Sequence, residues 1–180
     1  MRIFLFILAF VCLPFVCHAQ AKDKGFFMEM NIGYAHTDYH DDSYMLLSPR
    51  IGYQFNDRWA AGVKYIGETD NYLQYHTLGG YAQFCFWQNH RWRAFAEGGV
   101  TFGMLTDSPY GGEYDDCEVE AGISLGISYS LSHHLNLMLR YLHIGYSESL
   151  RAHGNACWGD HKFILDANIS RLQIGVQYIF

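Results

Sequence analysis

Glu118-Val119-Glu120-Ala121-Gly122-Ile123-Ser124-Leu125-Gly126-Ile127-Ser128-Tyr129 is the stretch on which the fold turns. Val119, Ala121, Ile123, Leu125, Ile127 and Tyr129 alternate without a break with Glu118, Glu120, Gly122, Ser124, Gly126 and Ser128. A period of two places the first set on one face of an extended strand and the second set on the other. Such a run is long enough to cross a bilayer at a tilt, which takes about nine to eleven residues.

The same alternation recurs on both sides of this stretch. Towards the amino terminus, Phe26 to His36 sets Phe26, Met28, Met30, Ile32 and Tyr34 against Glu29, Asn31, Gly33 and Ala35, with Phe27 breaking the pattern. Leu47 to Phe55 puts Leu47, Ile51, Tyr53 and Phe55 opposite Ser48, Arg50, Gly52 and Gln54. After the turn signal Asn56-Asp57-Arg58, a third strand sets Trp59, Ala61, Val63 and Tyr65 against Ala60, Gly62 and Lys64, and Gly67 to Asn71 then reads as a polar loop. His76 to Trp87 and Trp92 to Gly103 read as the fourth and fifth strands around a short link. Towards the carboxy terminus, Leu135, Leu137, Leu139 and Tyr141 oppose Asn136, Met138, Arg140 and Leu142, a loop runs from Tyr146 to about Ile164, and Leu172, Ile174, Val176, Tyr178 and Phe180 face away from Arg171, Gln173, Gly175 and Gln177. Links near Asn56, Asn89 and Ser132 are short and the others long. That rhythm predicts an all-β fold, a closed antiparallel up-and-down barrel of about eight strands.

Periodicity alone does not say which face is outside, since a soluble barrel shows the same period with its faces inverted. Composition favours the membrane: hydrophobic residues make up 50% and charged residues 17% of the 180, so a water-facing exterior is hard to build. The polar face is dominated by Gly33, Gly52, Gly62, Gly122, Gly126 and Gly175 among isolated charges. Small residues suit the narrow lumen of an eight-stranded barrel, and the bulky face, with Tyr34, Tyr53, Tyr65, Tyr129, Tyr141 and Tyr178 near strand ends, suits lipid and its interfaces. The reading is therefore a transmembrane barrel. The long apolar run Ile3 to Cys17, preceded by Arg2 and followed by Ala19-Gln20-Ala21, reads as a signal peptide over residues 1–21, leaving 22–180 as the barrel domain. Cleavage two residues earlier, before Gln20, is the alternative.

Phe180 at the last position, with Tyr178, Val176, Ile174 and Leu172 at alternate positions before it, looks like the carboxy-terminal signature read by the barrel-assembly machinery. From Phe26 to Phe180 the chain resembles the small OmpA/OmpX-type outer-membrane β-barrels. The resemblance implies eight strands, the outer membrane of a Gram-negative bacterium, contact with its lipid and lipopolysaccharide, and a structural or surface role carried by extracellular loops. Pro49 departs from the pattern, because a closed barrel has no edge to hide a missing N–H; a bulge near the outer rim is expected there.

By parity Glu29, Arg50, Lys64, Glu120, Arg140 and Arg171 fall on the polar face, with Glu97 expected to join them in a network of charge pairs that plugs the lumen rather than opening a narrow pore. His36, His40, His76, His143, His153 and His161 map to the outer end beside many aspartates, and His36 with His40 is the weak metal candidate; their four-residue offset suits a helix better than a strand. Cys117 and Cys157 fall in the third and fourth long loops and form a candidate disulfide. Cys85 reads as a small buried filler on a strand. The net charge of −6, with basic residues placed inward or at periplasmic turns, gives no footprint for nucleic acid, and no cofactor motif is present.

Some barrels of this size deacylate lipid A with a His-x-Ser pair on a late strand, and the resemblance makes His143 the one catalytic candidate. Gly145 stands where the serine belongs. The sequence thus points to a surface-interaction (adhesin-like) barrel, with a lipid A-modifying hydrolase and a narrow porin as alternatives.

Overall fold

The computed structural model describes residues 24–37, 42–69, 74–105, 117–148, 158–160, 162–167 and 172–180. Its strands are β1 (Gly25–Thr37), β2 (Asp42–Gln54), β3 (Trp59–Thr69), β4 (Gln74–Asn89), β5 (Trp92–Leu105), β6 (Cys117–Ser130), β7 (Leu135–Ser147), β8 (Trp158–Asp160), β9 (Phe163–Asp166) and β10 (Gln173–Ile179). Each of β1 to β6 pairs antiparallel with the next, β9 lies between β7 and β8, and β10 pairs with both β7 and β1, which closes the sheet. β9 continues the line of β10 along β7, matching His143↔Asp166 where β10 ends at Arg140↔Gln173. The barrel therefore has eight staves, the eighth split between β9 and β10. Closure removes the unpaired edge that an open sheet would expose to lipid.

Alternation builds the wall as expected. On β1, Phe26, Met28, Met30, Ile32 and Tyr34 face outward while Phe27, Glu29 and Asn31 are buried, Glu29 at 3% exposure against 54% for Ile32. The cleanest sequence run behaves alike: Ile123, Leu125 and Ile127 are exposed, and Gly126 and Ser128 are buried. An exterior of Leu, Ile, Met and Trp around the whole barrel is far more apolar surface than a soluble monomer presents, and it matches a hydrocarbon surround.

Strand extents differ from the sequence reading at the end opposite the short turns. β2 begins at Asp42 rather than Leu47, β3 carries Gly67 to Thr69 instead of yielding to a loop, Cys117 opens β6, and Tyr146 belongs to β7. The expected Tyr146–Ile164 loop contains β8 and the start of β9. Polar residues hide these extensions: a strand projecting past the membrane into water keeps its ladder and loses the reason to alternate.

Pro49 does not cause a bulge. The β2–β3 register is the same on both sides of it (Leu47↔Gly67, Arg50↔Lys64), and the register to β1 runs unbroken. The missing N–H leaves a local gap in the β2–β3 ladder instead. Bulges occur elsewhere. Cys85↔Phe95 and Trp87↔Ala94 leave Phe86 unmatched, so Phe86 and Trp87 both face outward. Ser124↔His143 and Leu125↔Tyr141 leave Leu142 unmatched, with φ at 68°. A bulged residue absorbs one step of the period, so the inside–outside sense of the strand is reset beyond it.

Candidate functional site

The centre of the lumen holds one connected set of charges, each delivered from the inward face of a different strand. Arg50 (β2) donates through Nη1 to both carboxylate oxygens of Glu97 (β5), at 2.8 and 2.7 Å. Arg140 (β7) donates through Nε to Glu97 Oε2 at 2.8 Å and through Nη2 to Glu29 Oε2 (β1) at 3.0 Å. Lys64 (β3) reaches Glu97 Oε1 at 3.2 Å. Asn31 accepts from Arg140 Nη1 at 3.0 Å and donates to Glu29 Oε1 at 2.6 Å, while Gln173 and Ser48 accept from Arg50 at 3.3 Å each. Glu29, Arg50, Lys64 and Arg140, which parity placed on the polar face, thus meet together with Glu97. Taking an ion out of water costs several kcal/mol, and these partners fill the hydrogen-bonding positions that water would otherwise occupy.

Aromatic rings pack this cluster. Tyr81 lies with its ring centroid 5.3 Å from Arg50 Cζ and 6.0 Å from Lys64 Nζ, and Phe95 lies 5.2 Å from Arg140 Cζ. Phe27 and Phe95 find room because their register partners are Gly52 and Gly126. A Cβ at Gly52 would stand 2.5 Å from the Phe27 ring, and one at Gly126 would strike the Phe95 ring. Asn31, Ser48, Gln173 and Tyr81 were not singled out from sequence, although parity placed the first three on the polar face and Tyr81 shares its face with Gly79 and Gln83.

Above the cluster, towards the long loops, is a cavity of about 50 Å³ lined by Lys64, Thr101, Glu120, Ser124, His143 and other inward residues. That is room for only a few water molecules. Glu120 is drawn to this level, its Oε1 3.8 Å from His143 Nδ1, rather than to the central cluster. Straight alternation from Tyr141 would send His143 out to lipid, but the Leu142 bulge turns it inward, where it is buried at 6% exposure beside the Gly122 backbone. Gly145 and Ser147 follow it inside, and Ile144 faces out at 49%. His143 is thus a lumen residue on the long-loop side of the cluster.

Below the cluster, Phe27, Ala60, Tyr81 and Ile179 form a buried apolar group, with Asn136 donating to Gln177 Oε1 at 2.9 Å near the short-turn end. Cys85 is buried as expected, its thiol on the Trp87 carbonyl at 3.2 Å.

A family model described as the outer membrane protein beta-barrel domain matches residues 4–180. The chain belongs to that family. As an outer-membrane barrel it resides in the outer membrane of a Gram-negative bacterium. Among solved structures, this barrel is similar to the amino-terminal β-barrel domain of Pseudomonas aeruginosa OprF, at TM-score 0.62 and 15% identity over 88% of this chain and 98% of that one. It is also similar to neisserial surface protein A, at TM-score 0.58 and 15% identity over 88% of this chain and 100% of the other. At such identity the likeness speaks to the fold. A search of curated protein sequences finds no match.

The remaining sequence candidates fall outside what is described: Arg171, His40 and Cys157, and the side chains of His36 and Cys117. Among the described residues, no group of three or more His, Cys, Asp or Glu side chains is placed to hold a metal ion.

Proposed function

We propose that this protein is a closed anchor that presents its long loops at the cell surface for interaction with an extracellular ligand. The observation that carries this reading is the lumen: Arg50, Arg140 and Glu97 span it in direct contact, with Phe27, Phe95 and Met138 buried alongside. A path for solute would have to break several charge-assisted hydrogen bonds at once. The plugged reading therefore ranks above a narrow porin. Lipid A hydrolysis is disfavoured by the inward turn of His143, which takes the one candidate base away from the lipid face, and by Gly145 at the position of the expected nucleophile.

In this reading the short turns and the Gly25–Ile179 end face the periplasm, the exterior contacts lipid and lipopolysaccharide, and Tyr178 with Phe180 serves as the signal for the assembly machinery. Two measurements test it. Reconstitution into planar bilayers should show no steady open current; a persistent conductance makes the protein a pore. Exchanging the long loops for short glycine-rich links should abolish surface binding to host or matrix components while leaving the barrel folded, and unchanged binding removes the loop role.

A further inference from the structure

The lumen opens at the short-turn end into a second, larger cavity of about 610 Å³, the size of a small-ligand pocket. Its walls come from the His90–Arg91 turn, the Leu131–His134 turn and the adjoining strand ends, and include His90, Arg91, Arg93, Ser132 and His133. Its floor holds the amides of Gln54 and Asn136, both nine-tenths buried. None of its lining residues is a carboxylate. Asp57, on the neighbouring Asn56–Arg58 turn, lines a narrower adjoining cavity with Arg93, but neither Arg91 nor Arg93 forms an ion pair among the described residues. The contrast with Arg50 and Arg140 is sharp: both are saturated by Glu29 and Glu97. A concave pocket that gathers two guanidinium groups, two imidazoles and hydroxyl donors, and supplies no acid to neutralise them, is complementary to an oxyanion.

We propose that this mouth is a binding site for a phosphate group, with Arg91 and Arg93 as its principal ligands. Planar guanidinium forks match phosphate oxygens in pairs, and Ser132 can add a hydroxyl donor because its Oγ already accepts from the His134 and Leu135 amides. The pocket faces the aqueous side through the barrel axis rather than through the wall, so a soluble phosphate reaches it directly and a phospholipid headgroup only by bending over the rim.

The test uses the protein extracted from membranes in an uncharged maltoside detergent and titrated with inorganic phosphate at constant ionic strength. Saturable NMR shifts at the amides of His90, Arg91, Ser132 and His133 are expected. They should weaken by about tenfold or more in Arg91→Gln/Arg93→Gln and persist in Arg58→Gln. Heat-modified mobility on gels confirms that each variant is folded. In nanodiscs, the same shifts on adding phosphatidylglycerol to phosphatidylcholine identify a lipid source, and their appearance only with inorganic phosphate identifies a soluble one; either result supports the site. Shifts reproduced by chloride, or undiminished in the double variant, overturn it.

Discussion

Arg140 and Glu97 stand 2.8 Å apart in the lumen with no more than 3% of either side chain exposed. Neither is paired with the other alone: Glu97 also holds Arg50 and Lys64, and Arg140 also holds Glu29. Removing one member therefore strands several charges.

Glu97→Gln should destabilise the barrel by about 3–5 kcal/mol, the cost of leaving buried cations without their partner. Arg140→Met combined with Glu29→Gln should cost less than the sum of the two single changes, since each single change leaves an orphan that the double change removes. Urea unfolding from lipid vesicles, followed by tryptophan fluorescence, measures both; strict additivity would show the contacts to be energetically idle.

Gly126→Ala should destabilise by about 1–3 kcal/mol, because the new methyl meets the Phe95 ring and lies 2.7 Å from the Leu139 carbonyl oxygen. Gly98→Ala, where nothing lies within 4 Å of the added carbon, should be close to neutral. The same unfolding assay compares the two.

The Leu142 bulge can be read by labelling. With the native cysteines replaced, a fluorophore on Ile144→Cys should be quenched by nitroxides carried on lipid chains, and one on His143→Cys should not. Straight alternation predicts the reverse.

At the loop end, Lys162 donates to Glu148 Oε1 at 2.6 Å, as does the Tyr146 hydroxyl. The hydrogen bond from Lys162, then that from Tyr146, holds the Glu148 carboxyl below the usual carboxylate range, and the bond to Glu148 raises the Lys162 ammonium. A lowered acid stabilises the fold above its unfolded value and loses that contribution as pH falls through the folded one; a raised base contributes below its unfolded value and loses it as pH rises through the folded one. The β7–β9 corner should thus hold its protection across neutral pH and loosen in strong acid and strong alkali. Amide exchange at Phe163 to Asp166 measures this, and Glu148→Gln should flatten the dependence. The effect is small, since both groups are exposed to water.

Much of the wall was legible because lipid on one side and a packed lumen on the other impose a strict period, which Phe26 to Tyr34 and Val119 to Tyr129 display openly. Parity also placed Glu29, Arg50, Lys64 and Arg140 on the polar face, with Glu97 expected to join them. The inward turn of His143 was not legible, because nothing in Tyr141-Leu142-His143 marks the extra residue; the bulge exists only through pairing with β6. The sequence reading expected a bulge at Pro49, where the register is held on both sides and the missing N–H leaves only a local gap in the β2–β3 ladder.

Alternation and composition by themselves determined that this chain makes a closed sheet with an apolar exterior, because both are set residue by residue along each strand. Which charges pair, which aromatic ring lies over which glycine, and that Arg91 and Arg93 line one pocket with no carboxylate in its lining were decided only by the tertiary structure. Those relations depend on strand register and barrel closure, which bring together residues far apart in the chain.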